Sequence, residues 1–264
     1  MIEKNKGTFV VLRSAGLGNR LKAYISYMAR YDKILVEKPS DSILFKNFGP
    51  AFTDDIIKYP NTGSVWQLLV DPEEEVFIKD YKTIDFLYNE TPKYFIDKYL
   101  PIWKSLEFNE DVMSKVHEVS KDWDFNNLIG LNVRKTTPAF GRDKFIDYDG
   151  FEREIANEND IFFIASDSIQ IKNYYKEKYG NRCFLYERNQ IVDTGYTDDY
   201  EQNLQALVEM ILLSKCRKKL VASIGSSFSE CAWWLGDCEV DVICPVYSIP
   251  DEWLKTHMIK KQNI

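Results

Sequence analysis

Residues able to hold an anion cluster in a few short stretches of this 264-residue chain. In the first, Gly16-Leu17-Gly18-Asn19-Arg20-Leu21 follows the apolar run TFVVLRS and opens an amphipathic segment. Glycines there let the backbone turn tightly and a ligand approach, and the amides of a helix start suit an anion or a sugar hydroxyl; Asn19 and Arg20 would face the cleft. The same pattern also serves as a tight turn with no ligand. In the second, Arg134 and Lys135 leave the apolar run LIGLNV together, at the strand end where open α/β sheets place ligands. A guanidinium can bridge two phosphate oxygens and stays charged at any working pH, so Arg134 is the first choice for catalysis, with a structural salt bridge as the alternative. Arg142 and Lys144 follow in the same loop. In the third, LVAS leads into Gly225, Ser226 and Ser227, small residues that can either nest a diphosphate at a helix start or simply cap the helix. Lastly, Glu209 is bordered by leucines in NLQALVEMILLSK, where it would suit the N1 and N2 hydrogens of guanine or pair with a core lysine or arginine.

Other chemistries find little support. Asp147-Tyr148-Asp149 has the DxD spacing of metal-dependent nucleotide-sugar enzymes, yet Asp122-Trp123-Asp124 has the same form, and short acidic triplets are common. The chain has two histidines, His117 and His257, with no ligand-spaced cysteine or histidine beside them, which argues against histidine-rich zinc sites and against serine or cysteine hydrolysis. GLGN falls short of GxGxxG, and Glu37 is a weak candidate for the acidic residue of a nicotinamide site. Asp147, Asp149 and Glu152 lie near the basic loop, and the role of general base stays open among them.

In order along the chain, GLGNRL, IGLNVRKT, FFIASDS, and NLQALVEMILLSKC leading into LVASIGSSFSECAWWLG resemble the metal-independent fucosyltransferase superfamily, which includes α-1,6-fucosyltransferases and protein O-fucosyltransferases. The resemblance implies a GT-B-type fold, two Rossmann-like α/β domains facing across a cleft. It implies an enzyme that transfers L-fucose from GDP-fucose to a glycan with inversion, with the GDP-sugar as donor substrate and no cofactor or metal. By motif position Arg134 would match the essential arginine at the donor diphosphate, Lys135 the basic residue beside it, and Ser226 and Ser227 the phosphate-contacting serines. Glu209 would stand where the family has an aspartate for guanine, Asn19 at the donor cleft, and Asp167 at an acidic strand end near the donor. The family pattern HxRRTD reads Asn132-Val-Arg134-Lys135-Thr136-Thr137 here, lacking its histidine and its aspartate; Asn132 can still hydrogen-bond a base or ribose, whereas Thr137 cannot act as a charged partner. Two other readings follow from that departure: a GT-B transferase using GDP-mannose or a UDP- or TDP-sugar, and a non-catalytic nucleotide- or glycan-binding protein.

The elements that must carry these residues are legible as apolar runs. Strands are expected at Thr8–Leu12, Ile34–Val36, Leu128–Val133, Ile161–Ala165, Leu220–Ala222 and Val240–Cys244, with helices between them. Leu21, Tyr24, Ile25 and Met28, then Leu204, Leu207, Val208, Ile211 and Leu212, keep helical spacing. Strand and helix alternate, which favours parallel sheets. The pattern weakens from Lys38 to Asp122, where the acceptor site is expected and where Trp66, Tyr88 and Trp103 would stack on sugars or pack inside. The domains are read as 1–120, on the acceptor side, and 121–264, on the donor side. Lys plus Arg at 34 against Asp plus Glu at 41 gives a net charge of −7, the wrong sign for a nucleic-acid or anionic-membrane partner. Five cysteines without a CxxC read as thiols, and the chain shows neither an apolar leader nor a spanning segment, so a soluble cytoplasmic enzyme is expected.

Overall fold

The structure, a computed structural model, describes residues 5–11, 16–52, 91, 93–135, 146–188 and 199–247. Arg142, Lys144, Thr136, Thr137, Trp66, Tyr88 and His257 lie outside them. The order is β1 (Asn5–Val11), α1 (Leu17–Met28), β2 (Tyr31–Val36), α2 (Pro39–Leu44), β3 (Phe48–Pro50), α3 (Lys93–Lys104), α4 (Glu110–Ser120), β4 (Leu128–Val133), α5 (Tyr148–Arg153), β5 (Ile161–Ser166), α6 (Ile169–Tyr179), a 3-10 turn (Gly180–Arg182), β6 (Cys183–Leu185), α7 (Tyr200–Lys215), β7 (Lys219–Ala222), α8 (Ser227–Leu235) and β8 (Val242–Ile243).

The strands form two sheets, β1-β2-β3 and β6-β5-β4-β7-β8, and every pairing between named strands is parallel. Strand β4 is buried at all six positions, as a central strand covered on both faces must be. Its alternate side chains divide the core. Ile129, Leu131 and Val133 meet Phe151, Phe162 and Tyr175 on one face, while Leu128 joins the cluster of α1, α7 and α8 on the other.

The larger sheet is doubly wound. From β4 the chain steps outward to β5 and β6, returns through the long helix α7, and then builds β7 and β8 on the opposite side of β4. The direction therefore reverses between β4 and β7, the kind of switch point at which open α/β sheets place a ligand crevice at the carboxyl edge. Helix α1 of the smaller sheet lies on α8, and α4 lies on α7, so one hydrophobic cluster joins both sheets. Trp103, expected either at a sugar face or in packing, lies inside that cluster, stacked on Trp234 with ring centroids 6.2 Å apart.

Helix boundaries follow local chemistry. Asn109, Asp147, Ser168, Asp199 and Ser226 each cap a helix start by accepting a backbone N–H. The two shortest internal strands, β3 and β6, were not anticipated from the sequence, because three residues are too few to show alternation. No described helix is long and apolar enough to cross a membrane.

Candidate functional site

Three stretches expected to act together meet at the β4–β7 crevice. Register pairs Asn132 with Ala165 on one side and with Ala222 on the other, so Arg134 and Lys135 emerge between the ends of β5 and β7. Arg134 is fixed from both neighbours. Its backbone N–H donates to Ser223 Oγ at 3.0 Å after β7, and its guanidinium Nε lies 3.3 Å from Asp167 Oδ2 after β5. Asp167 also accepts the Lys135 N–H at 2.9 Å, so one carboxylate sets the path of the backbone and the aim of the arginine together. The Arg134 side chain is 31% exposed, enough to reach a ligand while staying partly out of water. Lys135 itself is exposed.

Across the crevice, Gly225 takes φ +64°, a left-handed turn that a side chain would strain, and this sets up the start of α8. Ser226 is buried and serves as the cap: its Oγ accepts from the Ser229 N–H and donates to Asn132 Oδ1 at 2.9 Å. Of the two roles foreseen for Ser226, capping is the one its hydroxyl performs. Asn132, 2% exposed, is occupied in locking that cap to β4. Half-buried Ser227 and the first-turn amides remain at the helix start.

The glycine-rich turn arrives at the same place from the smaller sheet. A Cβ at Gly18 would sit 2.8 Å from the carbonyl carbon and oxygen of Ser227, so the first turn of α1 lies directly on the first turn of α8. The Gly18 carbonyl also accepts from the Cys231 thiol at 3.3 Å. Gly16, extended at the cap position before α1, has no side chain to cap the first amides of that helix. Half-buried Asn19 follows in this first turn. Two helix starts thus converge, and their partial positive charges add.

Arg20 does not face the cleft. It is fully buried, with Nε and an Nη donating to the two Asp41 oxygens at 2.7 and 2.9 Å and an Nη also donating to Asn203 at 3.1 Å. Tyr24 adds a 2.6 Å hydrogen bond to Asp41, and Asn203 donates to Ser40 at 3.0 Å, so α1, α2 and α7 are tied by one buried polar network. Burial, reinforced by the Asp41 charge, pushes the Tyr24 hydroxyl well above its ordinary pKa. A second tie, Lys22 to Glu230 at 2.5 Å, joins α1 to α8. A guanidinium used this way positions the glycine turn instead of reading a donor. Asp41 and Asn203 carried no sequence signal as its partners, standing 21 and 183 residues away.

Glu209 is also inside, 1% exposed, paired with Lys172 and with Arg188 at 3.5 Å. That is the core pairing held open in the sequence as the alternative to guanine. Lys172 gives a further hydrogen bond to the Tyr186 carbonyl at 3.1 Å. Among the carboxylates near the basic loop, Asp147 accepts the Gly150 N–H and pairs with Arg153, and Glu152 binds Lys178 at 2.6 Å and Tyr174. Burial works against ionisation of both, but the hydrogen bonds from Arg153 to Asp147 and from Lys178 and Tyr174 to Glu152 outweigh it, holding each carboxyl below its usual range. Asp149 is exposed. Among the described residues no group of three or more His, Cys, Asp and Glu is placed to hold a metal ion.

All five cysteines are thiols, and burial raises their pKa values, to about 12 for Cys183 and Cys244. None is poised as a nucleophile.

A doubly wound parallel sheet with Arg134 and Lys135 at its switch point and a serine-capped helix start after β7 is a Rossmann-like α/β architecture. No protein-family model matches the sequence, and no curated protein matches it. Solved structures do match at the level of fold. Fucosyltransferase NodZ from Bradyrhizobium superposes with a TM-score of 0.55 over 93% of this chain and 97% of that one, at 15% identity. A NodZ α-1,6-fucosyltransferase soaked with GDP-fucose gives 0.52, covering 87% and 93% at 14% identity, and one co-crystallised with GDP gives 0.53, covering 86% and 92% at 14% identity.

Proposed function

We propose that this chain is a fucosyltransferase that moves L-fucose from GDP-fucose to a glycan acceptor by inverting displacement, without a metal ion. The observation that carries the reading is Arg134 at the β4–β7 switch point, its guanidinium held by Asp167 and its backbone N–H by Ser223. The fold shared with NodZ structures obtained with GDP-fucose and GDP supports the choice of donor. In this reading residues 121–264 form the donor domain and residues 1–120 the acceptor side of a GT-B cleft.

The chemistry follows from where charge develops. As the acceptor hydroxyl oxygen forms its bond to fucose C1 and gives up its proton to water, the bond from C1 to the β-phosphate oxygen breaks, its electron pair stays with GDP, and the sugar gains oxocarbenium character in the transition state. Arg134, with Lys135 beside it, would neutralise the departing diphosphate, and the amides at the starts of α8 and α1, near Ser227, Gly16 and Asn19, would complete the cradle. Asp167 acts through Arg134, holding the guanidinium. Asn132 and Ser226 hold the helix start, and Arg20 holds the glycine turn.

One observation favours a different donor. Glu209, with its carboxylate occupied by Lys172 and Arg188, has lost the site foreseen for guanine, and a UDP-, TDP- or other nucleotide sugar would not need it. Calorimetry with GDP, UDP and ADP separates the two readings: a preference for GDP, with slow hydrolysis of GDP-fucose, supports the first, and a preference for UDP supports the second. Binding without turnover of any nucleotide sugar would identify a non-catalytic binder.

A further inference from the structure

A cavity of about 310 Å³ opens beside the crevice, on the face of the sheet away from α8. Its wall includes Lys135, Tyr148, Asp149, Glu152, Gln170 and Tyr174, drawn from the end of β4 and from α5 and α6. Its size is near the lower end for small-ligand sites, and it is contiguous with the proposed transfer centre: Lys135 follows Arg134, and the Tyr148 hydroxyl donates to the Arg134 carbonyl at 3.3 Å.

The lining selects a chemical class. Two carboxylates disfavour an anion, and the same carboxylates with Gln170 make poor company for a purely apolar ligand. Aromatic walls alternating with hydrogen-bond acceptors suit a neutral polyol, whose ring C–H faces lie on tyrosine while its hydroxyls donate to carboxylate and amide oxygens. The wall is also fixed in advance. Tyr174 donates to Glu152, Lys178 donates to both Glu152 at 2.6 Å and the Tyr174 oxygen at 2.9 Å, and the Lys178 ammonium lies 5.3 Å from the centre of the Tyr174 ring. That arrangement leaves little side-chain entropy to be lost when a ligand arrives. Asp149 is different: it is exposed at the cavity wall, where its carboxylate oxygens can accept from a hydroxyl.

We infer that this cavity is a pyranose subsite, which receives a sugar ring of the glycan acceptor next to Arg134, with Asp149 accepting from a sugar hydroxyl and Tyr174 forming the stacking wall. The role as acceptor subsite rests on the transferase reading; the capacity to bind a neutral sugar does not. It also puts acceptor recognition partly on the half of the chain that carries β4, whereas the sequence points largely to the N-terminal half, with its weakly patterned Lys38 to Asp122 region.

The test uses the full chain and its Asp149→Asn and Tyr174→Ala variants, with methyl glycosides of glucose, galactose, mannose and N-acetylglucosamine as probes. Saturation-transfer NMR reads sugar binding, calorimetry reads GDP binding, and thermal melting confirms that each variant folds. At least one glycoside should bind the parent chain, and each variant should weaken that binding about tenfold or more while leaving GDP affinity within about twofold. Failure of all the glycosides to bind, or binding unchanged in the isosteric Asp149→Asn chain, would overturn the inference. Absence of GDP binding with sugar binding intact would instead count against the transferase reading and leave the pyranose site standing.

Discussion

Arg134 is the residue on which the proposed chemistry turns. Its guanidinium would meet a diphosphate whose charge grows as the sugar departs, so its contribution should appear mainly in the transition state. Arg134→Ala is expected to lower turnover by about 100-fold or more, with a much smaller change in GDP affinity; stopped assays of GDP release and calorimetry provide the two numbers. Asp167→Asn should act in the same direction with a smaller loss, about tenfold, because the arginine persists but its 3.3 Å partner does not. At this scale the sequence was informative wherever a residue's role depends on its neighbours in the chain. The position of Arg134 at the end of a buried strand could be read; that of Arg20 could not, since it depends on Asp41 and Asn203, and nothing local distinguishes a guanidinium bound for a cleft from one bound for a core.

Among the elements, the contact between α1 and α8 is the most demanding. Two helix starts meet with Gly18 against the Ser227 backbone, and a methyl group there would sit 2.8 Å from main-chain atoms that have no rotamer in which to escape. Gly18→Ala should destabilise the fold by about 1–3 kcal/mol and weaken GDP binding as the helix starts separate; urea midpoints and calorimetry check the two effects. Gly7, where a Cβ would meet nothing within 4 Å, provides a control that should change little in packing. Element recognition succeeded where burial writes a clear pattern. Strand β4 occupies Leu128–Val133, the span of its apolar run, because a strand covered on both faces is apolar throughout. Helix α3 was harder, with Pro101 inside it and aromatic residues on its buried side, features that read equally well as irregular structure.

Taken whole, the molecule is acidic, and the cations Arg20, Lys22, Lys172 and Arg188 are committed to ion pairs inside it, on Asp41, Glu230 and Glu209. Acid should therefore weaken it through particular carboxylates. Asp147 and Glu152 titrate below their ordinary range in the folded chain, so the stability they contribute is fully present above their unfolded values, near pH 4, and is lost as pH falls through the depressed ones. An Asp147→Asn, Glu152→Gln double variant should be less stable at neutral pH and show a shallower acid limb; urea midpoints measured from pH 7 downward test this. The alternation of strand and helix made parallel sheets foreseeable, but not the Arg20–Asn203 hydrogen bond and the Lys22–Glu230 ion pair that tie α1 to α7 and α8, which join residues far apart in the chain.

The account depends on protein cations and helix amides stabilising the departing nucleotide, and GDP release from GDP-fucose in excess EDTA tests this most directly, comparing the parent chain with Arg134→Ala. The account predicts that the parent rate is unchanged by EDTA and falls by about two orders of magnitude in the variant. A parent rate abolished by EDTA and restored by a divalent cation, or a variant as fast as its parent, would contradict it.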